Sequence, residues 1–387
     1  MHELLAASLA WALALLSAGC QARGPQPPAG ARRAEAPLFA PAPGAPLDLG
    51  ARPEDVAVGD WDGDGKRALV TCYAGDTVKA FLGDGRGGYR PAPGPPFSVA
   101  AHTVAVGDVN KDGRADLALA HHDSFGVVVL LGAGDGRFAP APGSPFEAYR
   151  AARPHNHGLT LADLNADGSL DLVTSNHNDD SVSVLLGDGR GGFRHAPGSP
   201  FAAGRGPYPH AVGDVNGDGR PDIVAPDLLG AGVSVLLGDG RGGFAQAAGS
   251  PHAVTSRPYY VAVGDVSGDA RPDIVATHDD VTTMSTLLGD GRGAFAAAST
   301  YDLGRSSYRV IAADLDGDAR AELVIGGQGS VTVLLWGARG AYTHAAGSPY
   351  AVGGDPRVAL GDVNGDGRPD IVAADASSTR LTVLSHK

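Results

Sequence analysis

The feature that most constrains the fold of this chain is an acidic loop that recurs seven times. The clearest copy reads DVNGDGRPD at residues 214–222. The copies begin at Asp60, Asp108, Asp163, Asp214, Asp265, Asp314 and Asp362. Successive starts lie 48 to 55 residues apart, the extremes being 60 to 108 and 108 to 163. A period of about 50 residues indicates an array of one supersecondary unit.

Each repeat predicts four short strands. In the fourth copy, apolar runs lie at 209–213, 222–225 and 233–237, and a further run begins at Phe244. The acidic loop, a polar break and the glycine-rich turn GDGRGG at 238–243 separate them. None of these runs has a helical period. Seven four-stranded units predict an all-β protein, a seven-bladed β-propeller.

The two ends of the chain predict how this ring closes. The seventh copy ends with its third strand, LTVL at 381–384, and lacks a fourth. The segment LFAPAPGAP at 38–46 resembles the fourth-strand segment FRHAPGSP at 193–200. We therefore expect the N-terminal strand to join the last blade. Closure of the ring removes the open sheet edges of an array.

These motifs resemble those of the FG-GAP/VCBS repeat family, which includes the integrin α-subunit head. The resemblance rests on the Asp-x-Asn-x-Asp-Gly-x-x-Asp loops and on Gly-Ser-Pro segments such as 143–145, and it covers residues 37–387. It implies a calcium-stabilised propeller. It does not imply one activity, because such propellers serve in adhesion, in lectins and occasionally in lyases.

The acidic loops offer oxygen ligands at positions 1, 3, 5 and 9, which suits a hard cation such as Ca²⁺, and glycine at position 6 allows a sharp turn. Mg²⁺ requires a tighter octahedral site and retains waters, so we favour Ca²⁺. Four copies are complete, and they supply Asp108, Asn110, Asp112, Asp116, Asp163, Asn165, Asp167, Asp171, Asp214, Asn216, Asp218, Asp222, Asp362, Asn364, Asp366 and Asp370.

Three copies depart from the pattern. The sixth has Asp314, Asp316, Asp318 and Glu322, but Ala319 stands at position 6, which costs about 1 kcal/mol if its φ is positive. The first has Asp60, Asp62 and Asp64 with Ala68 at position 9, and the fifth keeps Asp265, Asp269 and Asp273 with Ser267 at position 3 and Ala270 at position 6. We expect the complete loops and the sixth to bind calcium, and the first and fifth to bind weakly. The alternative is that all seven are exposed Asx turns.

Histidine and tyrosine collect on the opposite face of the predicted ring. Six residues before each first Asp stand Glu54, His102, His157, Tyr208, Tyr259, Tyr308 and Pro356. His155 and His210 lie nearby, and the loops between second and third strands supply His121, His122, His177 and His278. Tyrosine stacking with polar neighbours suits a carbohydrate, and histidine suits a transition metal. The alternative is that these residues recur only because the repeat does, and that they bind no ligand.

Three functions remain open at this stage. The first is a secreted or surface-anchored module that binds glycan or protein. The second is a polysaccharide lyase that uses a rim Tyr or His as base. The third is a structural envelope protein without a small ligand. No nucleophile elbow or zinc-protease motif is present in the sequence, so an enzyme is not the favoured reading and no catalytic residue is assigned.

Composition limits the partners. The net charge is −13, and the chain has no cluster of Lys and Arg of the kind that binds nucleic acid. Two cysteines cannot form a disulfide framework. We expect Cys72 to be a small buried hydrophobic residue. We also expect a monomer that binds a glycan or a protein.

The N-terminus predicts export. Residues 4–18 are apolar but too short to span a bilayer, and LSAGC at 16–20 resembles a bacterial lipobox with Cys20 as the lipidated residue. The predicted domains are therefore a signal peptide at 1–19, a flexible tether at 20–37 and the propeller at 38–387. The expected location is the bacterial cell envelope, where the lipid at Cys20 is the only contact with the membrane, or the medium after secretion.

Overall fold

The chain folds into seven antiparallel sheets arranged as the blades of a β-propeller. The computed structural model describes residues 36–73, 77–94, 96–148, 154–337 and 340–387. The predicted signal peptide, Cys20 and nearly all of the tether lie outside the described residues. The all-β fold with seven blades predicted from the repeat is confirmed. Among the described residues, no helix is long and apolar enough to cross a membrane.

Within blades 1 to 6 the strands run in sequence order from the channel outwards. Blades 1 to 3 consist of the strands Pro53–Gly59, Ala68–Tyr73, Thr77–Gly83, Tyr89–Pro91 and Phe97–Ser98; Thr103–Gly107, Asp116–Ala120, Gly126–Gly132, Phe138–Pro140 and Phe146–Glu147; and Asn156–Ala162, Asp171–Asn176, Ser181–Gly187, Phe193–His195 and Phe201–Ala202. A 3-10 turn, His177–Asp179, follows the second strand of blade 3.

Blades 4 to 7 repeat this plan. Their strands are Ala211–Gly213, Asp222–Asp227, Gly232–Gly238, Phe244–Gln246 and His252–Ala253; Pro258–Gly264, Asp273–His278, Thr283–Gly289 and Phe295–Asp302; Ser307–Ala313, Glu322–Gly327, Ser330–Trp336, Tyr342–His344 and Tyr350–Ala351; and Pro356–Gly361, Asp370–Asp375 and Arg380–His386.

The N-terminal segment completes blade 7, as predicted. Strand Phe39–Pro41 pairs antiparallel with Arg380–His386, Phe39 opposite His386, and Leu47–Asp48 pairs with the other end of the same strand. The innermost strands contact their neighbours around the whole ring, including blade 7 with blade 1. The sheet edges of the first and last blades are therefore paired or packed, as closure requires.

The outermost strand is split in six blades, which the sequence did not reveal. Its two pieces pair with opposite ends of the third strand and flank the Gly-Ser-Pro segment or its equivalent. In four blades the serine hydroxyl of this segment accepts the third-strand N–H, as Ser144 does from Val129 at 2.9 Å. Blade 5 has Ala298-Ser299-Thr300 there, and its outer strand Phe295–Asp302 is continuous.

The core consists of seven apolar clusters, each lying between neighbouring blades. The cluster across the closure contains Val56, Leu69, Val372 and Val383, all buried. Burying one such side chain contributes about 1.5–3 kcal/mol. Cys72 is fully buried, as predicted. The blades are thus held together by side chains packed between sheets.

Candidate functional site

The acidic loops form one face of the ring, together with the glycine-rich turns between third and fourth strands. In the fourth loop, Asp214 Oδ1 accepts the N–H groups of Gly217 at 2.7 Å and Asp218 at 3.2 Å, and Oδ2 accepts that of Gly219 at 2.7 Å. The first Asp thus curls the backbone around its own carboxylate. Positive φ at positions 4 and 6 accompanies this curl, at Gly217 (75°) and Gly219 (80°).

In five loops the acid at position 9 connects the loop to the third strand. Asp222 Oδ2 accepts the N–H of Val215 at 2.9 Å, and Oδ1 accepts that of Gly238 at 2.8 Å. Asp116, Asp171, Asp273 and Asp370 make the equivalent pair of bonds. These carboxylates are fully buried, so they act as structural brackets whether or not they also hold an ion.

Burial raises the pKa of these position-9 acids. The N–H groups that donate to them lower it, but by less. The pKa rises to about 6 for Asp116, Asp171 and Asp222. For Glu322 burial raises the pKa to about 8, while the Leu315 N–H opposes it and the loop carboxylates add to it. A cation in the loop would offset this penalty, because an opposite charge favours the ionised acid.

Carboxylate oxygens converge in two of the incomplete loops. One oxygen from each of Asp60, Asp62 and Asp64 lies within 4.8 Å of the others, and the same holds for Asp314, Asp316 and Glu322. Burial and then the charges of Asp64 and Asp60 raise the pKa of Asp62. Lys66 pairs with Asp64 at 2.7 Å and compensates part of the charge of the first loop. The oxygen-only donor sets fit a hard cation. The sequence ranked the first loop low for its Ala68, yet its other three acids do converge.

The opposite face opens into the central channel through a region that we call the channel mouth. A cavity of about 900 Å³ runs from it, lined by the innermost strands and by His102, His122, His157, Tyr208, Tyr259 and Arg357. These rings come from the position six residues before each acidic loop, or from the loops between second and third strands. All of the residues named here except Arg357 belong to the rim set that the sequence singled out.

The rings at the mouth form a ladder that passes from blade to blade. His102 stacks on His122 with ring centroids 3.6 Å apart, and His157 stacks on Tyr208 at 3.7 Å. The His122–His157 centroids lie 4.5 Å apart, and their ring nitrogens Nε2 and Nδ1 are 3.1 Å apart.

On the tyrosine side, Tyr208 contacts Tyr259 at 4.8 Å and Tyr259 contacts Tyr308 at 6.5 Å. The Arg357 guanidinium lies 5.1 Å from the Tyr308 ring centroid, in cation–π range. Aromatic or cationic side chains from blades 2 to 7 thus border a single opening.

Three histidines of the ladder are held neutral. Burial, and then the nearby imidazoles, lower the pKa of His102 to about 3 and that of His122 to about 4, and the same causes lower the pKa of His157 strongly. Burial raises the pKa of Tyr208 and Tyr259. At neutral pH the histidine and tyrosine rings of the ladder are therefore uncharged. Arg357, at the far end, is its charged member.

Two of the predicted rim histidines do not join these rings, although one of them, His210, lines the cavity. His278 is buried in blade 5, where its ring nitrogens lie 2.9 Å from Thr283 Oγ1 and 3.1 Å from Ser285 Oγ. His210 is buried with Nδ1 2.7 Å from Ser175 Oγ. His121, His155 and His177 do join His102, His122 and His157. The ring centroids lie 5.9 Å apart in the pair His102–His121, 6.1 Å in His121–His122 and 5.0 Å in His155–His177.

The structure adds residues that the sequence did not single out. Arg309 donates to Asp55 Oδ1 at 2.9 Å, and Asp55 Oδ2 accepts from Thr103 and Val104 at 3.2 Å, so one buried carboxylate ties blade 6 to blades 1 and 2. Three large apolar side chains are exposed among the described residues, and all occupy second-to-third-strand loops on the mouth face: Phe125, Leu229 and Val281.

Fold and loops together define a class, a repeat propeller with Asp-rich loops on one face. The FG-GAP-like repeat model matches residues 60–119, 108–174, 163–225, 268–325 and 314–373. These matches cover more than half of the chain, and the chain belongs to the FG-GAP-like repeat family. The family predicted from the loop motif is therefore confirmed. No curated protein sequence matches the chain significantly.

Solved structures share the fold at low sequence identity. BBS1N, crystallised with ARL6DN, is 11% identical with a TM-score of 0.63, covering 91% of this chain and 98% of that chain. An Agrocybe aegerita lectin that recognises non-reducing terminal N-acetylglucosamine is 21% identical, TM-score 0.55, covering 85% and 87%. Virginiamycin B lyase from Staphylococcus aureus is 11% identical, TM-score 0.53, covering 88% and 98%. These likenesses show the fold alone.

Proposed function

We propose that this protein is a binding module that recognises glycan at the channel mouth, while calcium ions brace the loops of the opposite face. The observation that carries the proposal is the tyrosine part of the ladder, Tyr208–Tyr259–Tyr308, which continues to Arg357 at the opening of the cavity. Sugar rings pack their apolar faces on aromatic side chains, and adjacent charged groups bond their hydroxyls. Binding sites of this kind are concave and combine rings with few polar groups.

Polar partners lie beside these rings. Arg257 pairs with Asp279 at 3.3 Å, and Arg357 pairs with Asp355 at 3.0 Å. Each of these charged groups retains donors or acceptors for a sugar hydroxyl. The exposed Leu229 and Val281 on neighbouring loops extend the apolar surface around the opening. A macromolecular glycan or a glycosylated protein fits such a surface better than a small free ion does.

Binding is favoured over lyase chemistry by the protonation of the mouth residues. A general base works best with a pKa near the working pH. The histidine pKa values fall to about 3 and 4 at His102 and His122, and the tyrosine pKa values rise. None of these groups is tuned to abstract a proton at neutral pH. The lyase alternative predicts new ultraviolet absorbance when the protein is incubated with uronic-acid polymers, and we expect none.

A glycan array of the calcium-loaded protein tests the proposal. The Agrocybe aegerita lectin shares the fold, so glycans ending in N-acetylglucosamine are the first probes. We expect selective binding by the wild type and loss of binding in Tyr208→Ala and Tyr259→Ala. His344→Ala, exposed on the outer strand of blade 6, is the matched control and should bind normally. Equal array signals from all four proteins would contradict the proposal.

Calcium at the acidic loops is the second part of the proposal. The residues that would hold it are the oxygen donors of loop positions 1, 3 and 5, with the position-9 acid orienting the loop through the third strand. When bound, the ion would neutralise carboxylates that now repel one another. Export with lipidation at Cys20 stays part of the proposal, and Cys20→Ser should prevent labelling by a fatty-acid probe in cells.

A further inference from the structure

The histidine end of the ladder is more than a stacking surface. Six imidazoles from blades 2 and 3 crowd one side of the channel mouth, and three of them bring ring nitrogens together. One ring nitrogen from each of His102, His122 and His157 lies within 4.8 Å of the other two. His155 and His177 lie beside this trio, with the His155–His157 centroids 4.3 Å apart.

Several of these nitrogens are buried without any hydrogen-bond partner. They are Nδ1 and Nε2 of His102, Nε2 of His157 and Nδ1 of His177. A buried polar atom without a partner costs about 1–3 kcal/mol, and native proteins contain few of them. His102 therefore has ring nitrogens that no protein group engages, and one of them is free to bind a group held in this cluster.

The backbone holds the histidine-bearing segments in place. His102 donates its N–H to Ala120 O at 2.9 Å, Asn156 donates to His122 O at 3.3 Å, and His177 donates to His155 O at 2.9 Å. These bonds join the entry of each blade to a second-to-third-strand loop. The imidazoles are therefore presented by fixed backbone, and only their rings need to turn.

We propose that His102, His122 and His157 form a binding site for a divalent first-row transition metal, with Zn²⁺ as the reference ion. Neutral imidazole suits zinc, copper and nickel, whereas calcium and magnesium prefer oxygen. A tetrahedral zinc with bonds of about 2.0–2.1 Å needs nitrogens about 3.3 Å apart. The His122–His157 pair is already at 3.1 Å, so the stacked His102 ring must tilt to complete the set.

Three protein ligands leave the fourth position of the ion open to the cavity. Structural zinc sites in proteins are filled by four protein ligands, and an open position is typical of sites that bind an exchangeable ligand. His155 and His177 stand close enough to orient the trio or to replace one member. This inference does not depend on glycan binding, because the trio lies at the histidine end and the proposed sugar platform at the tyrosine end.

The test is a zinc titration of the whole chain in saturating Ca²⁺, which keeps zinc from the acidic loops, with no glycan present. We expect one tight equivalent, and a Co²⁺ replacement with the visible absorption of a nitrogen-ligated, four-coordinate ion. His122→Ala and His157→Ala should weaken zinc binding by at least about 100-fold, since loss of an outer-shell partner alone costs 10–100-fold. His344→Ala should change nothing.

Two results would overturn the inference. One is a wild type that binds no zinc above background in calcium. The other is zinc binding that survives in both His122→Ala and His157→Ala. If either alanine variant fails to fold, His157→Asn and the Co²⁺ spectrum of the wild type decide the question, since a spectrum typical of oxygen ligands alone would exclude the site.

Discussion

At the scale of single residues, the incomplete loops show how strongly the backbone of this motif is constrained. Position 6 is glycine in five loops, but Ala270 (φ 65°) and Ala319 (φ 70°) adopt the same left-handed conformation. The sequence predicted a cost at Ala319 if φ were positive, and φ is positive. An L-residue with a Cβ is disfavoured there by about 1–2 kcal/mol, whereas glycine is not.

Ala319→Gly should therefore stabilise the protein by about 0.5–1 kcal/mol, because it relieves the left-handed strain and outweighs the extra entropy of glycine in the unfolded chain. Urea unfolding measures the effect. The control is Ala296→Gly, exposed in the strand Phe295–Asp302, which should destabilise by about 0.5–1 kcal/mol. Destabilisation of similar size at both positions would contradict the argument.

Glu322 gives a prediction with a definite pH sign. Its folded pKa is raised to about 8, above the usual value near 4.3. The protonated acid thus contributes stability that is complete below about pH 4.3 and lost as the pH rises through 8. In excess EGTA, the wild type should lose stability relative to Glu322→Gln between pH 5 and 8, by at most about 1.4 kcal/mol per pH unit. Melting curves across this range measure it, and a constant difference would refute the assignment.

At the scale of strands and loops, aromatic pairs join neighbouring blades along the outer wall. The ring that ends one blade packs edge-to-face against the ring that opens the outer strand of the next, as in Phe146–Phe193 at 5.3 Å. Five other junctions have such a pair: Phe97–Phe138, Phe201–Phe244, His252–Phe295, Tyr301–Tyr342 and Tyr350–Phe39. The last pair secures the N-terminal strand in blade 7.

Phe39→Ala should consequently destabilise the closed ring by about 3–5 kcal/mol, the usual cost of removing a buried phenylalanine. Phe39 is 1% exposed and also stacks on His386 at 5.0 Å. The matched control is Phe125→Ala, because Phe125 is 46% exposed and should cost within about 0.5 kcal/mol. Chemical unfolding compares the two variants. Equal, small effects would mean that the N-terminal strand does not secure the ring.

The strands were more predictable than the histidine cluster. The Asp loops recur at one spacing, so strand number, blade number and closure follow from the sequence. The histidine cluster does not follow from the sequence, because a shift of one residue decides whether a side chain bonds inside its blade or reaches the mouth. Asn176 and His278 stand five residues after the buried Asp of their blades, and both bond hydroxyls of the third strand. His177 is one residue further on and reaches the mouth.

At the scale of the whole molecule, the two faces have different chemistry. One face presents repeated carboxylates, and the other presents neutral imidazoles and tyrosines around a cavity of about 900 Å³. The net charge of −13 is concentrated in part on the acidic face. This separation predicts that stability responds to cations at one face, and recognition to substitutions at the other.

Removal of calcium should lower the melting temperature. Each loop that binds the ion as proposed would contribute about 2.7 kcal/mol when the free ion exceeds its dissociation constant a hundredfold. Excess EGTA should thus lower the melt by many degrees, and addition of Ca²⁺ should restore it. Mg²⁺ at the same concentration is the control and should restore little. An identical melt in EGTA and in Ca²⁺ would mean that the acidic loops are Asx turns and nothing more.

The measurement that tests this division most directly compares Tyr259→Ala and Asp218→Asn in calcium, for affinity toward the best array glycan and for melting temperature. We predict that Tyr259→Ala abolishes glycan binding with little change in the melt. Asp218→Asn should lower the melt and leave affinity intact at temperatures where it is folded. The reverse pattern, with affinity lost through the loop and retained without the tyrosine, would contradict the account.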